Sequence, residues 1–168
     1  EELLEIGCKI IQCNTDGVTA MVPSDKVDNY YRICNDWEKV TGLVLEYAEY
    51  SMMALGDVNN YIAVYTDGEV KSKGRYEVAH FEKLGWSKNH SAMIVPVAAL
   101  QKIVYDVDVE ETIRLHKDPF DFLLRTKVPR NSSLVLVKDG EDIPQQNICR
   151  YYPSKNGGKL VKIMPPLK

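Results

Sequence analysis

Residues 10–23, Ile-Ile-Gln-Cys-Asn-Thr-Asp-Gly-Val-Thr-Ala-Met-Val-Pro, carry one charged side chain, Asp16, between two apolar runs. Short apolar runs on both sides of Asn14-Thr15-Asp16-Gly17 predict a β-hairpin with Asp16 at its tip. A carboxylate held at such a tip has the chemistry of a divalent-cation ligand. The same four residues are also ordinary turn formers, because Gly tolerates positive φ and Asp bonds its own backbone. Both readings stand on these residues alone.

A second chemistry is cationic. Lys71, Lys73 and Arg75 alternate, so on a strand they project to one face and suit backbone phosphates. Their plain alternative is a solvated sheet face. Arg150, Tyr151, Tyr152 and Lys155 set cations beside aromatics, a combination that suits nucleic acid. The alternative there is a strand with one tyrosine in the core and one outside. Residues 143–168 hold five basic side chains, Lys159 among them, and no acidic one, a balance that favours polyanions or simply a solvated surface. Lys88 and His90 precede an apolar helical run and could meet phosphate at its start. Asp118 and Asp121 read as helix-start residues.

These groups need elements to hold them. Residues 7–13 and 18–22 are expected as the two strands of the first hairpin. Ser24 is expected to cap a helix over 25–41, with Val27, Tyr30, Tyr31, Cys34, Trp37 and Val40 at helical spacing and Gly42 as its stop. Leu43, Leu45 and Tyr47 alternate and predict the start of a strand. Residues 61–65 and 69–73 predict a second hairpin across Thr66-Asp67-Gly68. The first 75 residues thus read strand–strand–helix–strand–strand–strand, a sheet with a helix packed on one face. Beyond them, 80–90 reads as a loop or short helix and 92–105 as a helix with Pro96 in its first turn. Short helices are expected over 109–116 and 119–125, and strands over 134–137, 147–152 and 159–164.

The chain has 168 residues, 45% of them hydrophobic, enough for one sizeable core or two small subdomains. Its formal charge of −3 is uneven: seven basic residues face thirteen acidic ones in 1–75, and fourteen face eleven in the remainder. Four cysteines without a Cys-x-x-Cys pair, and three scattered histidines, argue against a zinc site. No 18-residue apolar run and no signal peptide is seen, so a reducing, cytoplasmic setting without a membrane is expected. The chain opens at Glu1 without Met and runs almost at once into a strand, which suggests a segment of a longer polypeptide.

Set in order, these residues resemble family B DNA polymerases of the phage type. Asn14-Thr15-Asp16-Gly17 is similar to the Asp-Thr-Asp-Ser palm hairpin of that family. The helix of 25–41, Asn59-Asn60-Tyr61-Ile62 and Lys71-Ser72-Lys73-Gly74-Arg75 then follow the family's helix, Lys-x-Tyr element and Lys-rich segment ending in Gly. Asn89 to Pro96, Asp118 to Phe122, Arg150 to Lys155 and Gly157-Gly158-Lys159-Leu160 look like its thumb-side region. The resemblance runs over nearly the whole chain. It implies an α+β fold, with a partial palm over 1–78 (antiparallel sheet and packed helix). A mixed helical and β thumb-like subdomain would span 79–168.

The resemblance further implies template-directed addition of deoxynucleoside triphosphates to a primer 3′ end, with Mg²⁺ in a two-metal mechanism. Asp16 matches the metal-binding second aspartate of the hairpin. Asn14 stands where the family has its first aspartate, and Thr15 and Gly17 complete the turn. Tyr61 matches the tyrosine that contacts primer–template, while Asn59 replaces the lysine of that element. Lys71, Lys73, Arg75, Arg150, Tyr151, Lys155 and Lys159 would hold DNA, and Glu46 resembles a palm glutamate near the metal aspartates. The other palm aspartate and the Lys-bearing fingers helix have no counterpart here, so this stretch alone is expected to be inactive; a monomer is expected. The rival readings are a non-catalytic α+β module that docks nucleic acid, and a metal-dependent nuclease or nucleotidyltransferase of another class.

Overall fold

Two short apolar runs and a four-residue turn close the first hairpin. In the computed structural model, which describes residues 1–79 and 91–165, β1 (Lys9–Cys13) and β2 (Val18–Met21) pair antiparallel. The register gains one residue between Ile10 and Gln12, a bulge at Ile11 that increases local twist and re-aims the following side chain. A single-turn helix α1 (Glu2–Glu5) precedes β1.

After Pro23, a 3₁₀ turn over Ser24–Lys26 leads into α2 (Val27–Thr41). Ser24 makes no side-chain cap; the predicted cap is replaced by that turn. Gly42 ends the helix at φ 73°, its N–H donating to the Glu38 carbonyl. Gly adopts that left-handed backbone at the least cost. Of the expected apolar stripe, Cys34 is buried, while Trp37 is 44% and Val40 87% exposed.

The strand expected from Leu43 is not formed. Residues 43–49 run without a ladder, tied to α2 by the Leu45 N–H to Glu38 Oε1 bond (2.6 Å) and by Tyr47 against Tyr31 (5.4 Å) and Tyr30 (6.5 Å). Alternation there serves packing on a helix. The strand starts later, at β3 (Tyr50–Asp57), which pairs with β4 (Asn60–Tyr65), and β4 with β5 (Val70–Ser72). The single sheet expected for this region is therefore two ladders, β1–β2 and β3–β4–β5. The chain divides into two compact units, Glu1–Gly74 and Arg75–Lys168.

A 3₁₀ turn over Gly74–Ala79 runs across the boundary between the units, and the second unit continues, past residues 80–90, with α3 (Ile94–Tyr105) and α4 (Val109–Leu115). Asp108 caps α4 by accepting from the Glu111 N–H. The helix expected over 119–125 is a 3₁₀ turn, Pro119–Phe122, and then a strand, β6 (Leu124–Lys127), paired with β9 (Ile148–Tyr151). A further strand, β8 (Glu141–Gln145), joins β7 (Ser133–Lys138) across Asp139-Gly140. The last strand, β10 (Lys159–Ile163), pairs with the other edge of β7. Met93, Ile94, Ala98, Leu100, Val128, Leu134 and Val135 form this unit's core; Cys8, Cys34, Ile62 and Ala63 are the buried apolar residues of the first. Among the described residues, no helix is long and apolar enough to cross a membrane.

The packing of Tyr30 has a measurable signature. Burial first, then the Cys34 thiol and the Tyr47 and Tyr31 rings, pushes its hydroxyl from 10.0 up to about 12. A phenol whose folded pKa is raised stabilises the fold fully below pH 10.0, and that share is lost as pH rises from 10.0 through about 12. A phenolate absorbance titration of the protein against Tyr30→Phe should lose one transition near pH 12. A lost transition at the exposed-tyrosine position instead would refute this packing.

Candidate nucleic-acid interface

The tip of the first hairpin is built by Asn14. Its Oδ1 accepts from the Asp16 N–H (2.9 Å) and the Gly17 N–H (2.8 Å), and its own N–H donates to the Gly17 carbonyl (3.0 Å). This is an Asx-type turn, in which a short side chain replaces a backbone acceptor. Gly17 does not adopt positive φ, and a Cβ there would meet nothing within 4 Å. The expected need for glycine at that position is therefore met by Asn14 instead. Asp16 is exposed and accepts from the Thr15 hydroxyl at 3.3 Å.

One side chain ties this hairpin to the second ladder. Gln12 Nε2 donates to the Val58 carbonyl at 2.8 Å, bridging 46 residues. Its Oε1 is buried with no hydrogen-bond partner. Val58 lies in the β3–β4 turn, which is braced from within by Asp57: its carboxylate accepts from the Asn59 N–H (2.9 Å) and from Asn60 Nδ2 at both oxygens (2.8 Å). Gly74 closes on the same turn. Its φ is +63°, and a Cβ there would stand 2.3 Å from the Asn59 carbonyl oxygen and 2.4 Å from Asn60 Oδ1. Asn59 and Tyr61 are thus held at a rigid turn and at the strand leaving it.

β4 and β5 bring Tyr61, Lys71 and Lys73 to one place. Ala63 pairs with Lys71 and Ile62 with Ser72, and the Lys73 N–H donates to the Tyr61 carbonyl at 2.9 Å. Directly opposed residues share a face, so Tyr61, Ala63, Tyr65, Lys71 and Lys73 lie on one side. Tyr50, opposite Tyr65 on β3, packs its ring 4.9 Å from that of Tyr65. Burial pulls the Lys71 ammonium down, but the surrounding Tyr50, Tyr61 and Tyr65, with hydrogen bonding to Tyr65, offset this and hold it above the ordinary lysine value. Tyr50 is raised by burial first and then by Tyr65. Neither Tyr50 nor Tyr65 was singled out in the sequence; the Tyr61-x-x-x-Tyr65 spacing across Ala63 was the available signal.

Arg75 departs from the expected alternation. β5 ends at Ser72, Gly74 turns the chain, and Arg75 begins the second unit in a 3₁₀ turn. Glu46 is exposed in the ladder-free segment on α2, not on a strand. Arg150 lies over the Phe120 ring at 4.2 Å and pairs across the ladder with Arg125. Tyr151 follows it on β9, Lys155 sits in the turn beyond, and Lys159 is exposed on β10 in a different ladder. Asp118 caps the 3₁₀ turn through the Phe120 N–H (2.9 Å), a helix-start role, while Asp121 instead meets His116 Nε2 at 2.6 Å. Lys88 and His90 lie outside the described residues.

Among the described residues, no group of three or more His, Cys, Asp or Glu side chains could hold a metal ion. Mg²⁺ in nucleotide sites is held by one or two carboxylates plus substrate phosphates and water, so Asp16 alone supplies one ligand and not a centre. The described residues therefore do not fit a complete metal site by themselves. Compared with known proteins, the chain matches no protein-family model and no curated protein.

Four substitutions at three positions test this geometry. Gly74→Ala should destabilise the fold by about 2 kcal/mol or more, through positive φ and the collision with the turn, whereas Gly17→Ala should leave the urea midpoint nearly unchanged. Asn14→Ala should cost about 0.5–1 kcal/mol by removing the side-chain acceptor that shapes the exposed turn, and Asn14→Asp, which keeps the acceptor, should recover most of it in the same denaturation series.

Proposed function

We propose that this chain is the C-terminal palm and thumb segment of a phage-like family B DNA polymerase, acting as part of a longer chain. In this reading the whole enzyme transfers deoxynucleotides from their triphosphates to a primer 3′ end. Asp16 contributes one ligand to its Mg²⁺ ions, and the remaining ligands come from elsewhere in that enzyme. Asn59, Tyr61, Lys71 and Lys73 hold primer–template DNA, and Arg75, Arg150, Tyr151, Lys155 and Lys159 add to the grip.

The observation that supports this reading most is the tether between hairpins. Gln12 fastens the strand that leads to Asp16 onto the turn that carries Asn59, as a site that must align a metal-bound phosphate with a primer end requires. The role of Asn14 is compatible with the departure from the family hairpin. It supplies the two bonds that shape the turn, and a carboxylate at the same place could accept both.

A second reading, a non-catalytic nucleic-acid-binding module, is favoured by the cationic and aromatic face of β3–β5, which needs no metal. The two readings part on one measurement. In the longer chain, Asp16→Ala should lower primer extension on the order of 10³-fold, about 4 kcal/mol of barrier, with primer–template affinity little changed. Extension at the parent rate would remove Asp16 from the chemistry and leave the binding module.

A further inference from the structure

The face formed by β3, β4 and β5 is ordered in rows. Tyr50 stands opposite Tyr65, Met53 opposite Ala63 and Lys71, and Leu55 opposite Tyr61, with Lys73 beside it. From Tyr65 to Tyr61 the face spans about 13 Å at the usual strand rise. Tyr50, Tyr61, Tyr65 and Lys71 are half-buried, Lys73 is exposed, and Ala63, 0% exposed, forms the floor between the tyrosines. Three phenol rings and two ammonium groups thus share one side of a three-stranded sheet.

The chemistry of that face separates two kinds of DNA. In a duplex the flat faces of the bases are stacked on one another, so a protein surface meets phosphates and groove edges. Lysines suffice for the phosphates, and tyrosine rings add little. An unpaired strand offers the flat faces themselves, and aromatic side chains on a sheet stack two or three such bases while cations follow the phosphates.

We propose that this face binds a short unpaired stretch of DNA, its bases stacked on Tyr50, Tyr61 and Tyr65 and its phosphates met by Lys71 and Lys73. This deepens the polymerase reading and rests on its assignment of Tyr61, Lys71 and Lys73 to DNA. It changes the substrate at that face from duplex backbone to an unpaired strand, as occurs beside a primer–template junction.

Fluorescence anisotropy of the chain across a low-salt series tests it, with a labelled single strand, the same strand made abasic, and a blunt duplex as probes. The single strand should bind at least about 5-fold more tightly than its abasic counterpart, the lower end of one stacked base. Tyr50→Leu and Tyr65→Leu should each weaken single-strand binding about 5-fold or more and leave the duplex unaffected, whereas Tyr65→Phe, which keeps the ring, should restore it. Lys73→Ala should weaken every probe and reduce the salt slope by about one. Equal affinity for the intact and abasic strands overturns stacking, as does loss on Tyr65→Phe equal to that on Tyr65→Leu. Preference for the duplex overturns the proposal but leaves the polymerase reading intact, and extension insensitive to Asp16→Ala overturns the latter alone. Absence of binding to all three probes overturns the face as a DNA site.

Discussion

The first unit depends on the close approach of Gly74 to the β3–β4 turn. A side chain of any size at that position would overlap the Asn59 carbonyl, so the absence of a Cβ lets the chain after β5 lie against that turn. Asp57 draws the turn together from inside and Gln12 holds it from the neighbouring hairpin. Three independent restraints on four residues make this turn a fixed point. Asn59, Tyr61 and, through the ladder, Lys71 and Lys73 take their places from it.

Charge is handled differently at the two candidate sites of this unit. Asp16 sits at an exposed tip where solvation is cheap, shaped by backbone donors that Asn14 collects. Lys71 sits among tyrosines, where burial alone would disfavour an ammonium and phenolic oxygens compensate. An exposed carboxylate and a partly enclosed ammonium are suited to different partners: a hydrated cation in one case, a phosphate arriving with its bases in the other.

Much of this arrangement was legible in the sequence where one pattern had one cause. The β1–β2 and β4–β5 hairpins followed from short apolar runs broken by Asn-Thr-Asp-Gly and Thr-Asp-Gly, and the end of α2 followed from Gly42. The residues between Leu43 and Glu49 misled because alternation can arise from packing against a helix as well as from a ladder, and Glu46 was misplaced with them. β6 was hidden by Pro119 and Asp121, which mark a 3₁₀ turn before the strand. β8 was hidden by Glu141, Asp142 and Pro144, residues tolerated because it lies at the edge of its ladder. Gln12 and Gly74 act through contacts far away in sequence, and no local pattern points to either. Arg75 shows the reverse error: the alternation is present, but the strand stops before reaching it.

The tether at Gln12 also has a consequence for how the unit assembles. Hairpins are local and close within about 1–10 μs, so β1–β2 and β3–β4 can each form without the other. Joining them closes a 46-residue separation, whose entropy amounts to about 3 kcal/mol before any constant term. A neutral hydrogen bond contributes only about 1 kcal/mol net. The tether cannot drive that step; other contacts of the unit must bring the turn within reach. The Gln12–Val58 bond therefore does not assemble the first unit; it fixes how the two hairpins sit once other contacts have brought them together.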